Sequence, residues 1–372
     1  MRQRNYPGTF VVVALLAAPL QGRVLSLPAG VEGPAFLDVA AVRELQDGRT
    51  LVIDWSDRAL SVVSWSPVSV RTMGRTGDGP GEYRSPSQLL ALGNDSTLVP
   101  DAQNGKWHVA HRDRLVSVLD RSQPMPRDWG TILSGTDTLG HLLVLLGTRF
   151  PAEVRARGPG INAYAESLVV VLVNRGSGMA DSIVYVRGGF RGIARTSKTV
   201  SGGVIHYTLI NPLAVGDQAV LFPDGWIAIA YASPYHVEWR LPGGGIVRGG
   251  PLPDTRVPVD ERVKAQVIAD QWPPSPSTPK WRPDEFPGWP AVLPPFLEHA
   301  LLALPDGRLA VTKTMVGTGR PVRYDIVDRQ GRLSGVLELQ SGERLVGVGK
   351  GAVYSVLTDT DDSEILRRHP WP

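Results

Sequence analysis

The stretch Gly74-Arg75-Thr76-Gly77-Asp78-Gly79-Pro80-Gly81-Glu82-Tyr83-Arg84-Ser85-Pro86 decides how the chain is read. Its four glycines permit backbone angles closed to other residues, and Pro80 fixes its own φ while pushing Gly79 towards an extended conformation. The stretch is therefore a turn-rich crossover. On either side lie strand candidates, Ser69 to Met73 before it and Gln88 to Leu92 after it. A glycine-rich loop that cradles phosphate needs a following helix whose N-terminus faces the anion, and here a strand follows.

Working outward, the two flanks are successive copies of one unit. Phe36 to Leu45 alternates apolar and polar residues, Gln46-Asp47-Gly48 is a hairpin turn, and Thr50 to Ile53 is a buried strand ending in Asp54. Leu60 to Trp65 and Ser69 to Met73 complete a set of four strands. After the crossover the set recurs as Gln88 to Leu92, Thr97 to Val99 ending in Asp101, Lys106 to His111 and Leu115 to Leu119. The same turn returns at Thr136 to Gly140, at Asp224-Gly225, at Asp306-Gly307 and at Gly349-Lys350-Gly351. Anchored on residues 47, 95, 137, 224, 306 and 350, the spacings are 48, 42, 87, 82 and 44. Such a period belongs to radially arranged β-sheets. The expectation is an all-β, six-bladed β-propeller of four-stranded antiparallel blades. The last unit offers only Arg344 to Val348, Ala352 to Leu357 and Glu364 to Arg368, so Arg23 to Leu27 is expected to close the ring from the N-terminal side.

The motif Gly74-x-x-Gly77-x-Gly79-x-Gly81-x-Tyr83-x-x-Pro86, with Leu98-Val99-x-Asp101-x-x-Asn104-x-Lys106 after it, resembles the linker and repeat core of NHL-type propellers. It also resembles uncharacterised exported six-bladed propellers of bacteria. The motif covers about one and a half blades, and Asp57 and Ala59 depart from it in the first. Two functions follow from the resemblance. One is a binding or scaffold module for a protein, peptide or glycan. The other is a metal-dependent hydrolase or lyase, because lactonases and amidating lyases of similar build hold a metal at the channel mouth.

Composition sets the compartment and excludes some partners. Arg2 and Arg4 precede an apolar run from Phe10 to Ala18, the layout of a secretory signal peptide over residues 1–22, and the run is too short to span a bilayer. The mature chain, 23–372, is expected to be a periplasmic or extracellular monomer. It has no cysteine, hence neither disulfides nor an acylated cysteine. The net charge of +3 falls to +1 once Arg2 and Arg4 are removed, which argues against nucleic acid as the partner.

In a four-stranded blade the hairpin between the first two strands opens on one face, and the second-to-third and blade-to-blade connections open on the other. All the Asp-Gly turns are of the first kind. The long connections are of the second, with insertions at 148–166, 188–212 and 253–299. Within the last, Val259 to Trp272 reads as a helix with Asp260 and Glu261 at its start and Val263, Val267 and Ile268 on one side. Beyond it, Trp272, Trp281 and Trp289 lie among prolines in a stiff extended segment. Trp281 and Trp289 are candidate ligand-stacking residues or anchors of the loop. Arg191 and Arg195 sit with Lys198 in a glycine-containing stretch that could meet an anion. Asp54, Asp101, Asp78, Glu82, Asp359, Asp361 and Asp362 map to the same face; they are read as carboxylates that stabilise turns, with calcium the cofactor such oxygens could hold. No residue is assigned as a metal ligand: His108 and His111 are three apart on a strand, hence on opposite faces. No Gly-x-Ser-x-Gly element is present.

Overall fold

A computed structural model describes residues 23–93, 95–119, 131–146, 160–200, 203–272, 279–317 and 319–372. The expected signal peptide, residues 1–22, lies outside them, as does most of the 148–166 connection. The described chain is all-β apart from one α-helix and one 3-10 turn. Its strands form mainly antiparallel sheets. Sheet I holds eight strands. Its opening half is Val39–Glu44, Thr50–Asp54, Ala59–Trp65 and Val68–Thr72; its closing half is Glu343–Gly349, Ala352–Thr358, Glu364–Pro370 and Val31–Phe36. Sheet II spans Leu90–Ala91 to Arg114–Leu119, sheet III Thr131–Thr136 to Gly203–Ile210, and sheet IV Gln218–Leu221 to Ile246–Arg248. Sheet V comprises Leu301–Ala303, Leu309–Thr312, Val322–Val327 and Leu333–Leu339, with Arg23–Leu25 along its edge.

The Gly74 to Pro86 stretch makes the crossover from sheet I to sheet II. Gly74 and Gly81 take φ of 76° and 73°, and a Cβ on Gly74 would fall 2.7 Å from the Gly81 carbonyl oxygen. The chain folds back so that Arg75–Thr76 pairs in parallel with Glu82–Tyr83. Tyr83 is thereby driven into the core, 1% exposed, where its hydroxyl accepts from the Leu60 amide at 2.9 Å. Glu82 holds the loop by accepting from Gly79 N at 2.7 Å and Arg75 Nε at 2.6 Å.

Consecutive sheets pack face to face through apolar clusters. Leu51 and Ile53 meet Val99 and Ala110, joining sheets I and II. Leu98 and Trp107 meet Leu142 and Val144; Leu143 and Val170 meet Ala219 and Ile229; Ala230, Val237 and Trp239 meet Leu309 and Val311. Tyr324 and Ile326 of sheet V then pack on Val353 of the closing half of sheet I, and that half meets the opening half through Tyr354, Val356, Val42 and Val52. These two halves are also hydrogen-bonded in parallel, with Val348 opposite Arg43.

Two expectations about strands change. Arg23–Leu25 does not join the final strands: it runs parallel to Leu333–Leu339, with Val24 opposite Val336. The strand beside Glu364–Pro370 is Val31–Phe36, with Glu32 opposite Arg367. Its exposed face and its glycine and proline hide the alternation that marks a strand, whereas the backbone groups of Glu364–Pro370 need a partner whatever side chains it carries. The 188–212 segment, expected as a loop, is instead a ribbon: Ala180–Val200 pairs with Gly160–Asn174 on one side and Gly203–Ile210 on the other.

Residues 253–299 form the remaining long connection. Its helix, Glu261–Gln271, starts where the sequence places it: the Asp260 carboxylate accepts from Val263 N at 2.8 Å, Glu261 lies in the first turn, and Val263, Val267 and Ile268 are buried. Val263 and Val267 pack on Leu213 and Leu293, while Ile268 packs on Ala194, Leu209 and Phe286. The helix thus binds the ribbon of sheet III to the proline-rich segment that follows.

Candidate functional site

The tryptophans of the insertion pack against the ribbon and against one another's neighbours, with Trp272 5.1 Å from Phe286 between ring centroids. Trp281 meets Tyr207 of the ribbon edge to face, with ring centroids 5.0 Å apart, and lies 6.2 Å from the Phe286 ring. Lys198 places its ammonium 4.1 Å from the Trp281 ring centroid and 2.9 Å from Glu285 Oε1, crossing from ribbon to insertion. The Trp289 indole donates to the Pro283 carbonyl at 2.9 Å, yet one side of the residue lines a cavity described below. Arg191 and Arg195 lie on the Ala180–Val200 strand, opposite Tyr164 and Gly160 in register.

The acidic strand ends are engaged by backbone amides. Asp54 accepts from Leu37, Asp38 and Asp57; Asp101 accepts from Arg84, Ser85, Gln103 and Asn104. Those four donors hold the Asp101 carboxyl below its usual range against the opposing effect of burial. Asp78 pairs with Arg84, and Glu82 with Arg75. Among the described residues no three histidine or acidic side chains converge as a metal-ligand set. His108 is buried at 1% exposure with neither ring nitrogen hydrogen-bonded. Burial lowers its pKa, and Asp101 Oδ2, 3.7 Å from Nε2, pulls the other way.

Two adjoining cavities lie where the insertion crosses sheets IV and V. The first, of about 470 Å³, is bounded by Arg262, Val263 and Gln266 of the helix, by Leu293 to Pro295, and by residues 313–317, 320, 321 and 323. The second, of about 520 Å³, is lined by Leu213, Ser233, Tyr235 and Trp289 among others, and shares Asp254, Leu293, Pro294 and Pro295 with the first.

A charged cluster stands between them. Lys313 Nζ is 3.5 Å from Asp254 Oδ1, 3.6 Å from Asp325 Oδ2 and 4.2 Å from the Tyr235 ring centroid. The Tyr235 hydroxyl donates to Asp325 Oδ2 at 3.1 Å; burial first, and Asp325 second, push its pKa well above the ordinary phenol value, so it stays protonated. Arg323 Nη2 approaches Asp325 Oδ1 at 3.5 Å. Three buried polar atoms here make no hydrogen bond: Thr314 Oγ1, Arg323 Nε and Asp325 Oδ1. Buried polar groups are ordinarily satisfied, so a wall with such atoms is chemically incomplete without an occupant or water.

Sequence reasoning singled out neither Lys313 nor Asp325. The signal present was a charge inside an apolar strand: Asp325 interrupts Val322–Val327 and is 1% exposed. Beyond Arg323, two residues back, its partners are Tyr235 and Lys313, and Lys313 in turn reaches Asp254, so no local spacing announces the whole cluster.

No protein-family model matches the chain, and no curated protein matches it in sequence. Several solved structures align along most of it. A putative exported protein from Bacteroides fragilis is 11% identical, with 92% of this chain and 93% of that one covered and a TM-score of 0.48. Virginiamycin B lyase from Staphylococcus aureus is 7% identical over 90% and 96%, at 0.43. A calcium-binding protein, regucalcin, from Agrobacterium tumefaciens is 10% identical over 94% and 97%, at 0.35. At such identities those proteins' activities do not transfer to this chain. Among the described residues no helix is long and apolar enough to cross a membrane.

Proposed function

We propose that the chain is an exported binding module, a six-bladed β-propeller that recognises a protein, peptide or glycan through the face of its long connections. The six blades are the two halves of sheet I and sheets II to V, with Val31–Phe36 as the closing strand contributed from the N-terminal side. The succession of inter-sheet clusters, ending in that between the halves of sheet I, supports this arrangement. Export is supported by the basic, then apolar, sequence of residues 1–22.

One observation carries the binding role: the first cavity under the insertion combines apolar walls with two buried polar atoms that lack hydrogen-bond partners, Thr314 Oγ1 and Arg323 Nε, and it adjoins a second cavity. A few polar groups set in an apolar concavity fix the orientation of a ligand, and loops on a rigid scaffold are where such sites concentrate. Trp289 contributes to the wall of the second cavity, and Trp281 acts by holding the insertion in place.

The test fills the first cavity from its exposed rim. Met315→Trp and Val257→Trp alter side chains 41% and 37% exposed, so the fold should stand. Ligands captured by the mature chain on peptide and glycan arrays should be lost by these variants and kept by Asp224→Ala, on the opposite face. Retained binding in the filled variants, with loss in Asp224→Ala, would overturn the assignment.

A further inference from the structure

The charge of the first cavity narrows what it takes. Its lining and floor carry Arg262, Lys313, Arg320 and Arg323 against Asp254, Asp325 and Glu338. Lys313 sits between Asp254 and Asp325, and Arg323 faces Asp325, so these four groups cancel. Glu338 lies opposite Arg323 across the strand pair. Arg262 and Arg320, both exposed, make no ion pair with any described residue, which leaves the cavity wall one positive charge in excess.

Around that charge the wall is apolar, through Val263, Leu293 and Met315. Thr314 Oγ1 and Arg323 Nε offer buried donors with nothing to receive them. A single excess charge, donors in a guanidinium fork and an apolar wall together match a monoanion attached to an apolar body; a phosphate dianion would leave a negative charge over. We infer that this cavity binds the carboxylate end of an apolar chain, with Arg262 and Arg320 taking the carboxylate. The inference rests on the binding role proposed above and states its chemistry. A carboxylate of this kind ends either a peptide with a large apolar last residue or a free acyl chain. The adjoining cavity, with Ser233 and Tyr235 in its lining, offers space for what precedes the terminus.

Titration calorimetry of the mature full chain distinguishes these. The probes are a hexapeptide ending in leucine as its free acid, the same peptide as its C-terminal amide, and dodecanoate. The free acid should bind about tenfold or more tightly than the amide, and raising the salt from 50 to 500 mM should weaken it. The double variant Arg262→Gln, Arg320→Gln should lose the preference for the free acid while melting as the wild type does, since both side chains are exposed. Dodecanoate bound with the same salt and arginine dependence, where the peptide is not, assigns the acyl source to the same site. Equal binding of acid and amide overturns the carboxylate reading and leaves the binding module standing. Binding of any probe that survives Met315→Trp places recognition outside the cavity and overturns both.

Discussion

The two faces of the molecule treat their charges in opposite ways. On the face of tight turns, charge is consumed by charge. Arg329 donates to the Gly307 carbonyl at 2.7 Å and to Asp224 at 3.0 Å, and its guanidinium lies 4.5 Å from the Trp226 ring centroid and 4.9 Å from that of Trp239. Asp306 binds Arg308 and the Trp371 indole, and Arg49 joins Asp47 to Asp113. On the face of long connections, Thr314, Arg323 and Asp325 carry buried atoms without partners, and so does His108. Arg240 and Arg367 each leave only a guanidinium Nε unpaired while the rest of the group is bonded, whereas three such atoms gather around Lys313. An unmade buried hydrogen bond costs about 1–3 kcal/mol, so that concentration marks the Lys313 cluster for a use. The contrast lies in how polar groups are held: the turns lock sheets together, and the Lys313 cluster leaves polar atoms open.

The largest effect should come from breaking the locked face. Trp239 is fully buried, touches Phe222 and Trp226, and donates from Nε1 to the Asp328 carbonyl at 2.9 Å. Trp239→Ala should cost about 3–5 kcal/mol, read as a lower urea midpoint. A loss under about 1 kcal/mol would mean that the turn face is not where sheets IV and V are fastened.

Arg329→Ala should follow, at about 2–3 kcal/mol, because it removes the ion pair with Asp224, the bond to Gly307 and the ring contacts together. Its ligand binding should match that of the wild type. Should binding fall as far as stability does, the faces are coupled and the contrast fails.

The other face should respond to acid through His108. Its folded pKa lies below the ordinary 6.5, so below about pH 6.5 the unfolded chain takes up a proton that the folded one refuses. Stability should therefore fall as the pH drops from 6.5 towards the lowered value, by about 1.4 kcal/mol for each unit between the two, and level off beneath it. His108→Leu should remove that part of the acid sensitivity, which urea midpoints at pH 7.5 and 5.0 would show. Parallel falls in both proteins would reject it.

Much of this architecture was legible because strands such as Thr50–Asp54 and Ala352–Thr358 bury nearly every side chain, and because Asp-Gly turns need a positive φ that glycine supplies. The helix was legible through Asp260 and the spacing of Val263, Val267 and Ile268. The ribbon over Ala180–Val200 was not: its strand carries Gly188, Gly189 and Gly192, with a register shift between Arg187 and Phe190, and leaves no alternation to read. Nor was the strand beside Glu364–Pro370, since Val31–Phe36 exposes half its residues. Of the residues named in advance, Trp289 lines one of the cavities among the described residues. The Lys313 cluster is built by packing between sheets, and the sequence within any one strand holds no trace of which neighbour it will meet.

The smallest effect is the most discriminating, because it sets two threonines of one segment against each other. Thr312 donates from Oγ1 to the Ala300 carbonyl at 3.2 Å, whereas Thr314 buries an Oγ1 with no partner although its own amide is fixed to Pro295 O at 3.1 Å. Valine keeps the shape of each and deletes only the hydroxyl. Thr312→Val deletes the hydroxyl's bond, while the Ala300 carbonyl keeps the Thr312 amide at 2.9 Å, and should lose about 1 kcal/mol with binding intact. Thr314→Val removes a group that gains nothing in the free protein, so its melting temperature should stay level or rise slightly, while a carboxylate ligand that used the hydroxyl should bind about tenfold more weakly. The two substitutions thus separate a hydroxyl kept for the fold from one kept for a ligand. If Thr314→Val destabilises the free protein as much as Thr312→Val does, the hydroxyl has a partner in the folded chain, and the face of long connections is as closed as the face of turns.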